Sequence, residues 1–242
     1  MAMRVADFMS GLCGTISEPV DWLFKGSFLK DNRTSAGSYR GPGMEEGLRI
    51  LEEVSGTFGV STLTDIHAAS QAAPVAQAVD VIQVPAFLCR QTSLLEAAGA
   101  TGRKMNIKKG QFMSPENMQG AVAKATEAGC PEAWLTERGT FFGYGDLVVD
   151  MRSLSVMRKF ASKVILDVTH SLQLPGAAGG RSGGRREFAP ALARAGAAWG
   201  LDGLFIEAHP DPSSALSDAD TMLDLPALER MIRDVIPYWE GT

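Results

Sequence analysis

The sequence predicts an α/β fold, a (β/α)8 TIM barrel with its first strand absent: seven strands and eight helices in a single domain over residues 1–242. Three observations lead there. Short β-branched or apolar runs alternate with longer stretches of helical period, the pattern of a parallel sheet with crossover helices. The strands recur every 25 to 40 residues or so, roughly the length of a βα unit, with no linker between them. Every strand ends in polar or charged residues, as the C-terminal mouth of a barrel requires.

In chain order, Val5, Phe8, Met9, Leu12 and Ile16 fall at helical spacing, so the chain opens with an amphipathic helix rather than a strand. The strand runs are 20–27, 60–67, 79–85, 104–109, 133–139, 164–170 and 203–209. They are followed in turn by helical stretches at 44–57, 69–78, 92–101, 115–128, 150–160, 187–199 and 226–238. A closed barrel of this kind begins with a strand, and one missing stave leaves two unpaired edges. An N-terminally incomplete chain accounts for the count; an open seven-stranded sheet is the alternative.

Composition narrows the function. With 242 residues, 45% hydrophobic and 21% charged, the chain can bury a core for one large α/β domain. No apolar run reaches the roughly 18 residues of a membrane span, and Asp7 interrupts the first 14 residues where a signal peptide would be apolar, so a cytoplasmic protein without a membrane partner is expected. Cys13, Cys89 and Cys130 are far apart and form no CxxC pair, which suits buried thiols rather than disulfides or a zinc ribbon. Asn32-Arg33-Thr34 is a glycosylation sequon without a secretion signal and has no consequence. A net charge of -5 argues against nucleic acid as partner, so an anionic ligand must be held by local cations.

The strand ends supply those cations. They carry Lys25 and Ser27, Asp65 and His67, Gln83, Lys108 and Lys109, Arg138, His170, then Glu207 and His209. Strand neighbours face opposite ways, so only one of Lys108 and Lys109 points into the mouth, while Lys25 and Ser27 share a face. Lys25, one of the two lysines and Arg138 concentrate positive charge suited to a small polyanion with phosphate and carboxylate groups. His170, Glu207 and Asp218 offer one nitrogen and two oxygen donors, suited to Zn2+, Fe2+ or Mn2+ or simply to a hydrogen-bonded His–carboxylate pair. Loop 29–43 mixes Lys30, Asn32, Arg33, Ser35, Ser38 and Arg40 as a phosphate grip would, or as a solvated turn does. The glycine-rich segment 171–186 reads as a lid or as a disordered insertion. Trp134, Trp199, Trp239 and most methionines fall at core positions.

The stretches FKGSFLKDNRTS (24–35), SYRGPGMEEG (38–47), TDIH (64–67), DVIQVPAFLCRQT (80–92), NIKKGQF (106–112), ERGTFFGYGDLVVDM (137–151), DVTHSLQ (167–173) and FIEAHPDP (205–212) resemble the 3-deoxy-D-manno-octulosonate 8-phosphate synthase family across essentially the whole chain. The related 3-deoxy-arabino-heptulosonate 7-phosphate synthases typically carry a KPRTS-type motif where this chain has KDNRTS, which favours arabinose 5-phosphate over erythrose 4-phosphate. The resemblance implies a cytoplasmic, tetrameric barrel enzyme that joins phosphoenolpyruvate to D-arabinose 5-phosphate for lipopolysaccharide synthesis and releases phosphate. It implies no organic cofactor. By motif position Lys25, Ser27, Lys30, Lys108, Arg138 and His170 look like the phosphoenolpyruvate cradle. Asn32, Arg33, Ser35, Asp65, Gln83 and Phe87 look like the sugar-phosphate contacts, and Arg90 resembles an arginine lent by a neighbouring subunit. Lys25, Lys30, Lys108, His170 and Asp218 are the expected catalytic set.

The metal-dependent branch of that family holds a divalent ion with Cys, His, Glu and Asp; the metal-free branch has Asn in place of Cys. His170, Glu207 and Asp218 match three ligands, and Ser217-Asp218-Ala219 resembles the metal-dependent context. The fourth ligand belongs to the family's first strand, and Cys13 aligns within the first helix instead. The resemblance therefore implies Zn, Fe or Mn with an incomplete ligand set. A heptulosonate synthase, or an inactive remnant that only binds ligand or partner subunits, are the alternatives.

Overall fold

The computed structural model describes residues 1–31, 39–142, 145–178 and 181–239. Its strands are β1 Leu23–Lys25, β2 Ser61–Asp65, β3 Val81–Val84, β4 Lys104–Lys108, β5 Ala133–Glu137, β6 Thr140–Phe141, β7 Leu147–Val148, β8 Lys163–Asp167, β9 Gln173–Ala178, β10 Arg181–Gly184 and β11 Gly203–Phe205. Its helices are α1 Ala2–Gly14, α2 Met44–Phe58, α3 Ala72–Ala78, α4 Thr92–Gly99, α5 Gln119–Glu127, α6 Arg152–Met157, α7 Ala189–Ala198 and α8 Leu225–Val235. Seven strands form one parallel sheet in the order β1-β2-β3-β4-β5-β8-β11, the curled sheet of a TIM-barrel-like fold. Among the described residues no ladder joins β11 back to β1.

Helix ends follow local chemistry. Glu45 and Glu46 sit in the first turn of α2, where the helix dipole favours acid, and the helix stops at Gly59, whose φ of 65° is left-handed and whose N–H reaches Ser55 O at 2.9 Å. Asp224 caps α8 by accepting from the Ala227 N–H at 2.7 Å, ahead of a proline in the first turn.

The period of two divides each strand between lumen and shell. Facing outward, Ile82, Val84, Met105, Ile107, Ala133 and Leu135 join the main core under the helices. Leu166 and Val168 belong to a second cluster with Ala193 and Ala197 of α7 and Leu228 and Met231 of α8. Gly196 permits the close approach of α7, since a Cβ there would stand 2.5 Å from Leu201 and 2.7 Å from Leu166. Facing inward, Leu63, Val81 and Trp134 plug the lower lumen. Helix α1 straddles the two clusters: Ala2, Met3 and Val5 pack on the first, Phe8 and Met9 on the second.

Three expectations are corrected. Segment 171–186 contains an antiparallel hairpin, β9 against β10, which sets aside the disordered insertion and leaves the lid alternative standing. The hairpin seats on the turn before α8, where a Cβ at Gly184 would stand 2.3 Å from the Thr221 side chain. The last inward strand ends at Phe205, and only the isolated bridge Ala208↔Leu223 follows. Trp199 is 48% exposed rather than core, with its indole N–H donating to Ser155 Oγ at 2.9 Å. A second hairpin, β6 with β7, sits in the connection from β5 to α6.

Candidate active site

Inward positions of β1 to β5 form a hydrogen-bonded belt. Lys25 donates to Ser27 Oγ at 2.5 Å, and the Ser27 hydroxyl donates to Asp65 Oδ2 at 2.6 Å. Gln83 Nε2 donates to Asp65 Oδ1, Asn106 Nδ2 to Gln83 Oε1 at 2.9 Å, and the Thr136 hydroxyl to Asn106 Oδ1 at 2.7 Å. These contacts exist because the parallel register sets Asp65 beside Gln83 and Gln83 beside Asn106. Burial pushes the Asp65 carboxyl up, and the Lys25 ammonium, the Ser27 hydroxyl and Lys108 outweigh it, leaving Asp65 far below the carboxylate range.

Above the belt lie the cations. Lys108 Nζ is 2.6 Å from Asp167 Oδ2, and this pair is almost fully buried. Asp167 Oδ1 accepts from Thr169 N, Thr169 Oγ1 and His170 N, and Oδ2 lies 2.7 Å from His170 Nδ1. Burial opposes ionisation of Asp167, but His170 and Lys108 hold it well below its ordinary value. His170 Nδ1 is therefore the donor toward it. Burial pushes the Lys108 ammonium down against the pull of Asp167, with Lys25 and Arg138 adding repulsion. Arg138 Nη2 donates to His170 O at 3.2 Å and Gln173 Oε1 at 2.9 Å. Its Nη1 and the Ser171 hydroxyl are buried without a partner among the described residues. A guanidinium with an orphaned N–H beside a lysine destabilised by burial makes an anion cradle.

The far wall is the turn after β11. Lys30 bonds Ser217 Oγ and lies 3.1 Å from Asp218 Oδ2, while Gln173 Nε2 donates to Asp218 Oδ1 at 3.0 Å. Asp218 holds a left-handed φ of 54°, a conformation Asp tolerates better than most residues and one common at functional turns. Burial raises its carboxyl, and Lys30 and His170 bring it below its ordinary value.

Of the three expected metal donors, two are adjacent. His170 Nε2 lies 3.3 Å from Glu207 Oε2, an oxygen that is buried and makes no hydrogen bond among the described residues. Asp218 is directed to Lys30 and Gln173, and no group of three His, Cys, Asp or Glu among the described residues is arranged to hold an ion.

The structure thus brings Lys25, Ser27, Lys30, Asp65, Gln83, Lys108, Arg138, His170, Glu207 and Asp218 to one mouth. Phe87 and Arg90 are exposed on the turn after β3, and Asn32, Arg33 and Ser35 lie outside the described residues. As expected from alternation, Lys108 and Lys109 diverge: Lys109 turns outward to Thr140 Oγ1 at 3.0 Å and Glu137 at 3.5 Å. Strand-end reading missed Asn106, Thr136, Asp167, Gln173 and Phe205. Asn106, Thr136 and Phe205 lie two residues before Lys108, Arg138 and Glu207, so alternation alone could have found them; Asp167 and Gln173 flank His170 without such a signal.

The DAHP synthetase I family matches residues 1–236. The 2-dehydro-3-deoxyphosphooctonate aldolase of Synechococcus sp. is 52% identical over 240 residues, covering 99% of this chain and 84% of the relative. Those of Pelobacter propionicus and Geobacter sulfurreducens are 52% and 49% identical, covering 93% and 96% of this chain and 84% and 86% of their own lengths. The likeness spans every strand that contributes to the mouth, and the chain belongs to the DAHP synthetase I family, in which these similar relatives carry the name 2-dehydro-3-deoxyphosphooctonate aldolase.

Proposed function

We infer that this chain condenses phosphoenolpyruvate with D-arabinose 5-phosphate and water, giving 3-deoxy-D-manno-octulosonate 8-phosphate and inorganic phosphate for lipopolysaccharide synthesis in the cytoplasm. The observation that carries the reading is the cradle formed by buried Lys108 and Arg138, with the Arg138 Nη1 donor unpartnered among the described residues. Carbon 3 of phosphoenolpyruvate bonds to the aldehyde carbon, whose oxygen takes a proton. Water adds at carbon 2, and phosphate leaves from that carbon. Positive charge develops beside the carboxylate and negative charge on the aldehyde oxygen, so cations fixed before substrate arrives lower the barrier without reorganising. Lys108, Arg138 and Lys25 hold phosphate and carboxylate; the belt of Ser27, Asp65 and Gln83 presents acceptors and donors to the sugar. Lys30, His170 and Asp218 are the groups placed to orient water and move its proton.

The test is release of inorganic phosphate from phosphoenolpyruvate. Release only with arabinose 5-phosphate supports the reading; turnover with erythrose 4-phosphate instead makes the chain a heptulosonate synthase; binding of phosphoenolpyruvate without turnover makes it a ligand-binding remnant. Two further proposals belong with this one. His170, Glu207 and Asp218 would be the donors to a divalent Zn, Fe or Mn, which would supply a Lewis acid beside the water; chelation would then lower the rate and Mn2+ would restore it, whereas indifference to chelator rejects the metal. The chain is a homo-oligomer, a tetramer in the finer form, with exposed Arg90 serving a neighbour; light scattering at the monomer mass rejects that.

A further inference from the structure

Phe205 occupies an unusual place among the cations. It is the inward residue at the end of β11, paired in register with Asp167. Lys108 Nζ lies 3.7 Å from its ring centroid and Lys25 Nζ 5.8 Å, and the His170 ring is tilted against it at 5.7 Å. The Lys108 ammonium is therefore clasped between the Asp167 carboxylate on one strand and an aromatic face on the next.

We propose that Phe205 is a positioning residue for substrate binding, its ring face holding the Lys108 ammonium in place while leaving that charge available to an incoming anion. The physical need is visible in the cluster. Lys25, Lys108 and Arg138 repel one another in a buried mouth, and desolvation adds to the cost of keeping them charged. A second carboxylate at position 205 would relieve the repulsion but neutralise Lys108 and compete with the substrate for its N–H groups. The ring carries no net charge and accepts no proton; its quadrupole attracts the ammonium most strongly where water is excluded. An aliphatic side chain would fill the volume without that attraction. Leu204, the outward neighbour, packs in the shell instead, so the aromatic sits on the face where the cations are.

The identity of the anion rests on the condensation reading above; the clasp on Lys108 does not. The test replaces Phe205 by 4-fluoro-, 3,5-difluoro- and 3,4,5-trifluorophenylalanine, which nearly preserve shape while draining the ring face of negative charge. The dissociation constant and KM for phosphoenolpyruvate are expected to rise stepwise, roughly tenfold across the series, with the KM for arabinose 5-phosphate unchanged. A flat series overturns the proposal even if Phe205→Leu binds poorly, because the ring is then only filler. Independently of any substrate, the ε-methylene protons of Lys108, assigned with Lys108→Arg, are expected upfield of the other lysines by ring current. Their absence there overturns the proposal as well. Failure of phosphate release with the upfield shift present sinks the functional reading alone.

Discussion

The arc from β2 to β5 and the margin where β11 faces β1 share one inward alternation but are stabilised by different means. In the arc, β3 and β5 are buried at every position, and the inward side chains hydrogen-bond across the ladder from Asp65 to Thr136. At the margin, Gly203, Leu204 and Phe205 are only partly buried and Leu23 is 39% exposed. No ladder crosses it among the described residues; Lys25 reaches Phe205 through space, and α1 lies across the outside. A paired neighbour on each side lets a strand bury polar groups at low cost, because every group meets a partner. Where pairing stops, a charge–quadrupole contact and an apolar helix take its place.

The largest expected difference between the two regions lies outside the lumen. Lys109 and Glu137 form an ion pair with side chains 1% exposed, and Glu137 also accepts from Gly139 N and Ser153 Oγ at 2.7 and 2.6 Å. The pair fixes the backbone just past Lys108 and just before Arg138, so it sets where both cations stand. Lys109→Met strands a buried carboxylate and is expected to cost about 3–5 kcal/mol in urea denaturation, with part of the loss recovered in a Lys109→Met, Glu137→Gln double variant. A loss below about 1 kcal/mol would show that the arc does not depend on this pair.

Next in size is the belt. The Asp65 carboxyl titrates far below its ordinary value of 3.8, so the unfolded chain binds more protons between the two values. The stability it contributes is full above the unfolded value and is lost as pH falls toward the folded one. Asp65→Asn should therefore cost about 2 kcal/mol at pH 7, through lost charge-assisted hydrogen bonds. The gap to the parent should narrow as pH drops below about 4. A gap independent of pH would mean that the introduced amide repairs the belt or that Lys25 does not feel the charge.

The strands of the arc and the gap at the margin were both readable from sequence, but the contacts that join the inward side chains were not, for a physical reason. In β3, β4 and β5 the runs VIQV, KMNIK and AWLTE put apolar residues toward the shell, and Lys108 and Arg138 stood out because charge at a strand end has few structural uses. Asn106 and Thr136 escaped notice because a polar residue inside a strand reads as noise until register shows it beside Gln83. Asp167 falls inside the expected strand 164–170 and drew no role there, whereas its two oxygens organise His170 and Lys108. Phe205 drew no role of its own, since an aromatic in an apolar run carries no mark of facing a cation. The glycines of 171–186 suggested a loop, yet glycine also suits a hairpin pressed against a neighbouring turn, as Gly184 is against Thr221.

The smallest effect belongs to the helix across the margin. Phe8 of α1 is partly buried against the cluster of β8, α7 and α8, whereas Val5 leans on the cluster of the arc. Phe8→Ala should cost about 1–2 kcal/mol, less than the roughly 3–5 kcal/mol typical of a fully buried phenylalanine. Its location is more telling than its size. If α1 serves as the margin's cover, amide exchange in β11 and α8 should quicken while β3 and β4 keep their protection, because the arc is held by its own ladder. Equal acceleration throughout the sheet would mean that arc and margin unfold as one unit, and that the gap in pairing between β11 and β1 makes no energetic boundary.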